Sequence, residues 1–173
     1  MLLVGGASSR FGAPKALARL NGETLAERAW RTLAEVCDER LAVGKAADDL
    51  SLPFPLVDDA TDIRAPIVGV VAGLRAARHE VCVFLPVDCP LVSADSLRKL
   101  VAAVGVPQTG PLPGAYPKAA LPVLERRLAA GSLTLREAVR ELGLPTVELD
   151  PAELLNVNAV SDLDQLRRAA ASS

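Results

Sequence analysis

Hydrophobic and polar positions follow two periods along this chain. Short continuous apolar runs, each halted by glycine, aspartate or proline, read as strands buried on both faces. The stretches between them, with apolar residues three and four apart, read as helices. Met1-Leu2-Leu3-Val4 is such a run, stopped by Gly5-Gly6. After Lys15, residues 16–20 lead into Asn21-Gly22, the strongest short-range hairpin signal, which predicts a small ribbon fixing Lys15. Thr24 is placed to cap a helix reaching Cys37, with Leu25, Ala26, Ala29, Trp30, Leu33 and Ala34 at helical spacing and Trp30 in the core.

A second strand over 40–43 stops at Gly44, and a third over 52–57 ends at Asp58-Asp59. From Pro66 the run Ile67-Val68-Gly69-Val70-Val71-Ala72-Gly73-Leu74 is apolar almost all round, as in a buried helix extending to about His79 whose Gly69 and Gly73 allow close backbone approach. Residues 80–87 form a strand central in a parallel sheet and deliver Asp88 at its end. Ser93 caps the next helix, with Leu97, Leu100 and Val101 inward. A proline- and glycine-rich loop follows over 107–113, with a short strand over 112–116. Helices over 119–130 and 132–142 are broken at Gly131, 145–149 is a strand, and Ser161 or Asp162 caps a last amphipathic helix. Strands alternating with helices predict an α/β fold: a single domain over 1–173, three-layered and doubly wound around a mostly parallel, Rossmann-like sheet.

Composition narrows the function classes. At 173 residues and 50% hydrophobic content the chain can bury a sizeable core, while a net charge of -2 provides no global basic field. Only 3% of residues are aromatic, leaving few platforms for stacked bases, so nucleic acid is not an expected partner. Neither a basic leader nor an apolar segment of roughly 20 residues is present, so no membrane association is expected and the place of action is cytoplasmic. Cys37, Cys82 and Cys89 form no C-x-x-C pair and read as reduced thiols, Cys82 and Cys89 as buried and inert. His79 is the one histidine and sits near a helix end, which leaves a Ser-His-Asp or histidine-metal site unsupplied.

Two stretches carry candidate chemistry, and both follow strand ends, where open α/β sheets bind ligands. In Gly5-Gly6-Ala7-Ser8-Ser9-Arg10-Phe11-Gly12-Ala13-Pro14-Lys15, backbone N–H groups freed of Cβ atoms can close on anionic oxygens, and Lys15 adds a point charge. The spacing is not that of a Walker loop, because Gly12 is followed by Ala13, Pro14, Lys15 and Ala16, nor that of G-x-G-x-x-G. By itself the stretch reads equally as an ordinary strand-to-loop turn. In Pro86-Val87-Asp88-Cys89-Pro90-Leu91 the carboxylate ends a buried strand and can bind Mg²⁺, which takes one or two carboxylates plus phosphates and water. A turn or helix cap is the other reading. Asn156 and Asn158 follow the apolar pair Leu154-Leu155 and read equally as turn formers.

Val4-Gly5-Gly6-x-Ser-x-Arg10-Phe11-Gly12-x-x-Lys15 resembles the opening signature of the sugar-nucleotide-transferase-like nucleotidyltransferases, most closely the molybdenum cofactor guanylyltransferases. Pro86 to Pro90 is similar to that family's Asp-x-Pro motif, Ala65-Pro66-Ile67-Val68-Gly69 to its Gly-Pro-Leu-x-Gly segment, Leu112-Pro113-Gly114-Ala115-Tyr116 to its later hairpin, and Leu155-Asn156-Val157-Asn158 to its Asn-x-Asn strand end. The resemblance implies Mg²⁺-dependent transfer of GMP from GTP to the terminal phosphate of molybdopterin, with molybdoenzymes and other cofactor-biosynthesis proteins as further partners. It implies nucleotide binding by Leu3, Val4, Gly5, Gly6, Lys15, Asp88 and one of Asp58 and Asp59. Catalysis falls to Lys15 and Asp88, the metal to Asp88, and the acceptor to Arg10, Asn156 and Asn158. Three positions depart from the pattern: Gly44-Lys45 where relatives often carry asparagine near the base, Pro14 in place of an acidic residue, and Ala65 in place of glycine. The Gly5-Gly6 pair resembles the guanylyl branch and not the cytidylyl branch. A nucleotidyltransferase using CTP or another phosphorylated acceptor, and a non-catalytic nucleotide- or cofactor-binding carrier, are the alternatives.

Overall fold

The structure, a computed structural model, describes residues 1–5 and 14–171. Among them, five strands form a central sheet in the order β5 (Leu56–Asp58), β4 (Ala42–Gly44), β1 (Leu2–Leu3), β6 (Val81–Pro86) and β8 (Gly114–Pro117). β1 runs parallel to β4 and β6, β4 parallel to β5, and β8 antiparallel to β6. This is the mostly parallel, doubly wound arrangement that the alternation predicts.

Side chains of a strand alternate between faces, and here both faces are covered. Leu2, Val83 and Leu85 pack with Leu25 and Leu33 of α1 (Leu25–Ala34), Leu97 and Leu100 of α3 (Ala94–Ala103) and Leu163 of α6 (Val160–Ala171). Leu3, Cys82 and Phe84 pack with Ile67 and Val71 of α2 (Pro66–Ala76), Leu124 of α4 (Leu121–Ala129) and Leu135 of α5 (Leu135–Leu142). Each fully buried leucine contributes about 1.5–3 kcal/mol, which is why β6 has no polar alternation. α2 reaches the sheet through Gly73, where a Cβ would lie 2.5 Å from a ring carbon of Phe84.

Local signals produced the expected elements at several points. Asn21 and Gly22 both have positive φ (53° and 88°), as a two-residue hairpin turn requires, and join β2 (Arg19–Leu20) to β3 (Glu23–Thr24). Thr24 Oγ1 accepts the Glu27 N–H at 3.1 Å while Glu27 Oε2 accepts the Thr24 N–H at 2.9 Å, a reciprocal cap on α1. Ser93 likewise accepts the Ser96 N–H at 3.2 Å.

Other expectations need correction. α1 ends at Ala34, short of Cys37, and α2 ends at Ala76, short of His79. Trp30 lies at the edge of the core: its ring stacks on Phe54 with centroids 4.1 Å apart, under the Arg40 guanidinium. The third strand contracts to β5, because Pro53 and Pro55 bring no N–H to a ladder. The strand over 145–149 shrinks to β9 (Thr146–Val147), which pairs with β7 (Val106–Pro107) outside the main sheet. Leu154-Leu155 does not end a strand; the segment is turn and irregular backbone, tied to the site by the Val157 N–H on the Asp88 carbonyl at 2.8 Å. α6 is capped by Asp162, which accepts the Asn158 and Ala159 N–H groups at 2.7 and 2.9 Å, bonds that hold its carboxyl below the usual range.

The topology decides where a ligand can sit. The chain passes from β1 outward to β4 and β5, then returns through α2 to β6 on the other side of β1. Strand order therefore reverses between β1 and β6, and the crevice beyond their carboxyl ends lies between Gly5 and Asp88.

Candidate active site

A cavity of about 780 Å³ opens at that crevice, large within the roughly 300–1,000 Å³ range of small-molecule sites. Leu3, Val4 and Gly5 line it at the end of β1. Their backbone is spliced to both neighbours: the Val87 N–H donates to Leu3 O and the Val4 N–H to Val43 O, each at 3.0 Å. Gly6 and Arg10 lie outside the described residues.

Lys15 begins a single 3-10 turn, Lys15–Leu17, whose Ala16 is buried in the core, so the backbone that carries the lysine is anchored. Its Nζ lies 3.3 Å from Asp88 Oδ2, with side-chain exposures of 16% and 26%. Asp88 is held from behind by Val157 on its carbonyl, and its neighbour Cys89 is buried with its thiol 3.2 Å from Asn156 Oδ1. Burial, with the Asp88 charge adding to it, pushes the Cys89 thiol far above its usual range, so it stays protonated and acts as a donor. Cys82 is also buried and His79 is exposed.

The two aspartates that end β5 behave differently. Asp58 turns away from the cavity lining, accepting the Ala46 and Ala60 N–H groups at 3.1 and 3.2 Å, and these bonds hold its carboxyl below the usual range. Asp59 lines the cavity and is gripped by Lys45 Nζ at 2.9 and 3.2 Å from its two oxygens. Beside it, Gly44 tolerates no side chain, since a Cβ there would stand 2.8 Å from Val4 Cγ2.

The cavity is also lined by Arg64, by Thr109 to Leu112, by Arg136 of α5, and by Leu154, Leu155 and Asn156. Arg136 donates to Thr109 O at 3.0 Å and the buried Tyr116 hydroxyl to Pro111 O at 2.7 Å, pinning the loop. Asn158 does not line the cavity; its N–H serves the Asp162 cap. Sequence reasoning missed Arg64 and Arg136. Both sit among ordinary surface charges, and no spacing separates them from the rest. It did single out Asp88, Lys15, Asn156 and the strand-end backbone, which the fold brings together.

The donor set suits Mg²⁺ in a particular way. Among the described residues no group of three or more His, Cys, Asp or Glu converges, so the protein offers no closed cage. One part-exposed carboxylate, Asp88, faces a cavity beside a lysine, which matches an ion that keeps most of its shell as water and substrate phosphate.

Comparison with known proteins agrees with this geometry. Among solved structures, molybdopterin-guanine dinucleotide biosynthesis protein A from Archaeoglobus fulgidus superposes with a TM-score of 0.77 at 22% identity, covering 99% of this chain and 98% of that one, a likeness of fold. A molybdenum cofactor guanylyltransferase from Pseudomonas putida is 35% identical over 92% of this chain and 92% of its own length. Another from Desulfosudis oleivorans is 28% identical over 98% of this chain and 94% of its own. Residues 1–147 match the family model of the MobA-like NTP transferase domain, a span that contains the first strand, Lys15, both β5 aspartates and Asp88, and this chain belongs to that family.

Proposed function

We propose that this chain, acting as one domain in the cytoplasm, transfers GMP from GTP to the terminal phosphate of molybdopterin. A phosphate oxygen of the acceptor bonds to the α-phosphorus of GTP, the bond to the β-phosphate oxygen breaks, and pyrophosphate leaves. The observation that carries this reading is the meeting of Lys15 and Asp88 at 3.3 Å in a large cavity at the topological switch point. Such a reaction needs no general base, because the attacking oxygen is already anionic; it needs alignment and neutralised charge.

In this reading the backbone of Leu3, Val4, Gly5 and Gly6 holds the nucleotide. Lys15 turns from Asp88 to the phosphates, and Asp59, which lines the cavity where Asp58 does not, takes the base or ribose side. Asp88 would hold Mg²⁺, which supplies Lewis-acid neutralisation of phosphate charge when bound. Arg10 and Asn156 are assigned to the acceptor, with the Cys89 thiol orienting the Asn156 amide, while Asn158, outside the cavity, holds the start of α6 through Asp162. Among the described residues no helix is long and apolar enough to cross a membrane.

The test is pyrophosphate release from GTP, CTP and ATP in parallel, with Mg²⁺ and intact molybdopterin. GTP-selective release is expected. Release with CTP alone would replace the nucleotide, and GTP binding without any turnover would replace the enzyme with a carrier.

A further inference from the structure

The cavity wall formed by the loops after β4 and β5 is cross-linked in a way the proposed reaction does not use. Lys45 is buried, 8% exposed, although it is a lysine on the cavity wall. Its ammonium bonds both oxygens of Asp59 and the carbonyl of Thr61, which together use its three protons. A second pair of opposite order, Arg64 with Asp48 at 2.7 Å, links the same two loops near the surface. Gly44 has no room for a side chain against Val4, so strand β4 contributes no side chain of its own at its last residue. Asp59 Oδ1 also accepts the Thr61 N–H at 3.3 Å. A carboxylate offers about four lone-pair directions; Oδ1 uses two and Oδ2 one, so one direction on Oδ2 remains for a donor arriving from the cavity.

Resting on the guanylyl reading above, we infer that Lys45 is a positioning residue for base selection. It does not touch the nucleotide. By gripping Asp59 and Thr61 it holds the carboxylate at one place in the wall, where the remaining Oδ2 direction accepts from a ring N–H on the base edge, as the N1–H of guanine presents. Adenine and cytosine present an acceptor at the corresponding ring nitrogen, so a fixed carboxylate rejects them, and a loosened one rejects them less. Burial makes the arrangement stiff: a buried pair opened by removing one partner leaves an uncompensated charge.

The experiment measures equilibrium dissociation constants for GTP, ATP and CTP, beside steady-state constants, in the full chain and four variants, one of them Asp59→Asn alone. Lys45→Met should weaken GTP binding and raise its KM about tenfold or more while kcat changes by less than about threefold, and the preference for GTP over ATP should shrink by a similar factor. Lys45→Arg, which keeps the charge, should recover most of the preference. Lys45→Met combined with Asp59→Asn removes both buried charges and guards against a fold failure of the single variant. Because Lys45 acts through Asp59, this double variant should discriminate no worse than Asp59→Asn alone. Folded Lys45→Met with unchanged GTP affinity and base preference would overturn the inference, as would a double variant worse than Asp59→Asn by the full Lys45 factor. Failure of the guanylyl reading looks different, since the unmodified protein would then not prefer GTP at all.

Discussion

Two lysine–aspartate pairs stand at the carboxyl ends of neighbouring strands, and they are built for opposite purposes. Lys15 and Asp88 meet at 3.3 Å with 16% and 26% of their side chains exposed, whereas Lys45 and Asp59 meet at 2.9 Å with 9% and 8% exposed. The first pair is long, partly wet and carried by a short turn and a strand-end turn. In the proposed reaction this pair parts, the lysine toward phosphates and the carboxylate toward a metal. In the second, Thr61 adds its carbonyl to the lysine and its N–H to the carboxylate, so each charge is compensated where it stands. An identical pairing of residue types is thus part-exposed at one place and buried at the other, and burial suits the first to the proposed chemistry and the second to bracing.

Breaking the first pair should cost activity and leave the fold intact. Asp88→Ala is expected to lower kcat by about 10²–10⁴ with a melting temperature within a few degrees of the parent, because it removes charge stabilisation and no core contact. Single-turnover pyrophosphate release with thermal melts on the same preparation checks this. Lys15→Ala should lower kcat by about 10²–10³, with the melt again near the parent.

Breaking the second pair should cost stability. Asp59→Asn leaves the Lys45 ammonium buried and uncompensated, a loss of about 3–5 kcal/mol, read in urea unfolding as a lower midpoint at unchanged slope. A midpoint equal to the parent's would mean that the pair opens readily in solution and that the contrast drawn here is wrong. The smallest effect belongs to Arg64→Ala, which removes the outer, solvent-screened link to Asp48 between the same loops. Its unfolding midpoint should stay within the error of the measurement, so a clear shift would move the bracing role outward from Lys45.

Legibility in the sequence followed the range of the interactions. The Asn21-Gly22 hairpin, the Thr24 and Ser93 caps and the all-apolar β6 could be read directly, because each is settled within a few residues or by burial on both faces. Leu154-Leu155 misled: two leucines looked like a strand end, yet Leu155 is 55% exposed, and the segment takes its shape from Val157 bonding the Asp88 carbonyl across the chain. Trp30 misled in a similar way, since helical spacing places it on the inward side but the stack with Phe54 holds it at the rim. At the site, Lys15 and Asp88 stood out through glycine and proline neighbours that limit the backbone. Arg136 had no such neighbours, and Arg64, although it directly precedes the Ala65-Pro66 segment, belonged to no motif, so the cavity is what picks both out.

The amino-acid sequence by itself determined the alternation of strand and helix, the doubly wound class, and the placing of Gly5, Lys15, Asp88 and Asn156 just after apolar runs, since periodicity and turn chemistry are properties of neighbouring residues. It did not distinguish Asp58 from Asp59, which are adjacent, alike in chemistry and equally spaced from Pro66 to within one position. The tertiary structure decided that. Successive side chains at a strand end point to opposite sides, so Asp58 was left to bond loop amides while Asp59 met a lysine brought by the neighbouring strand.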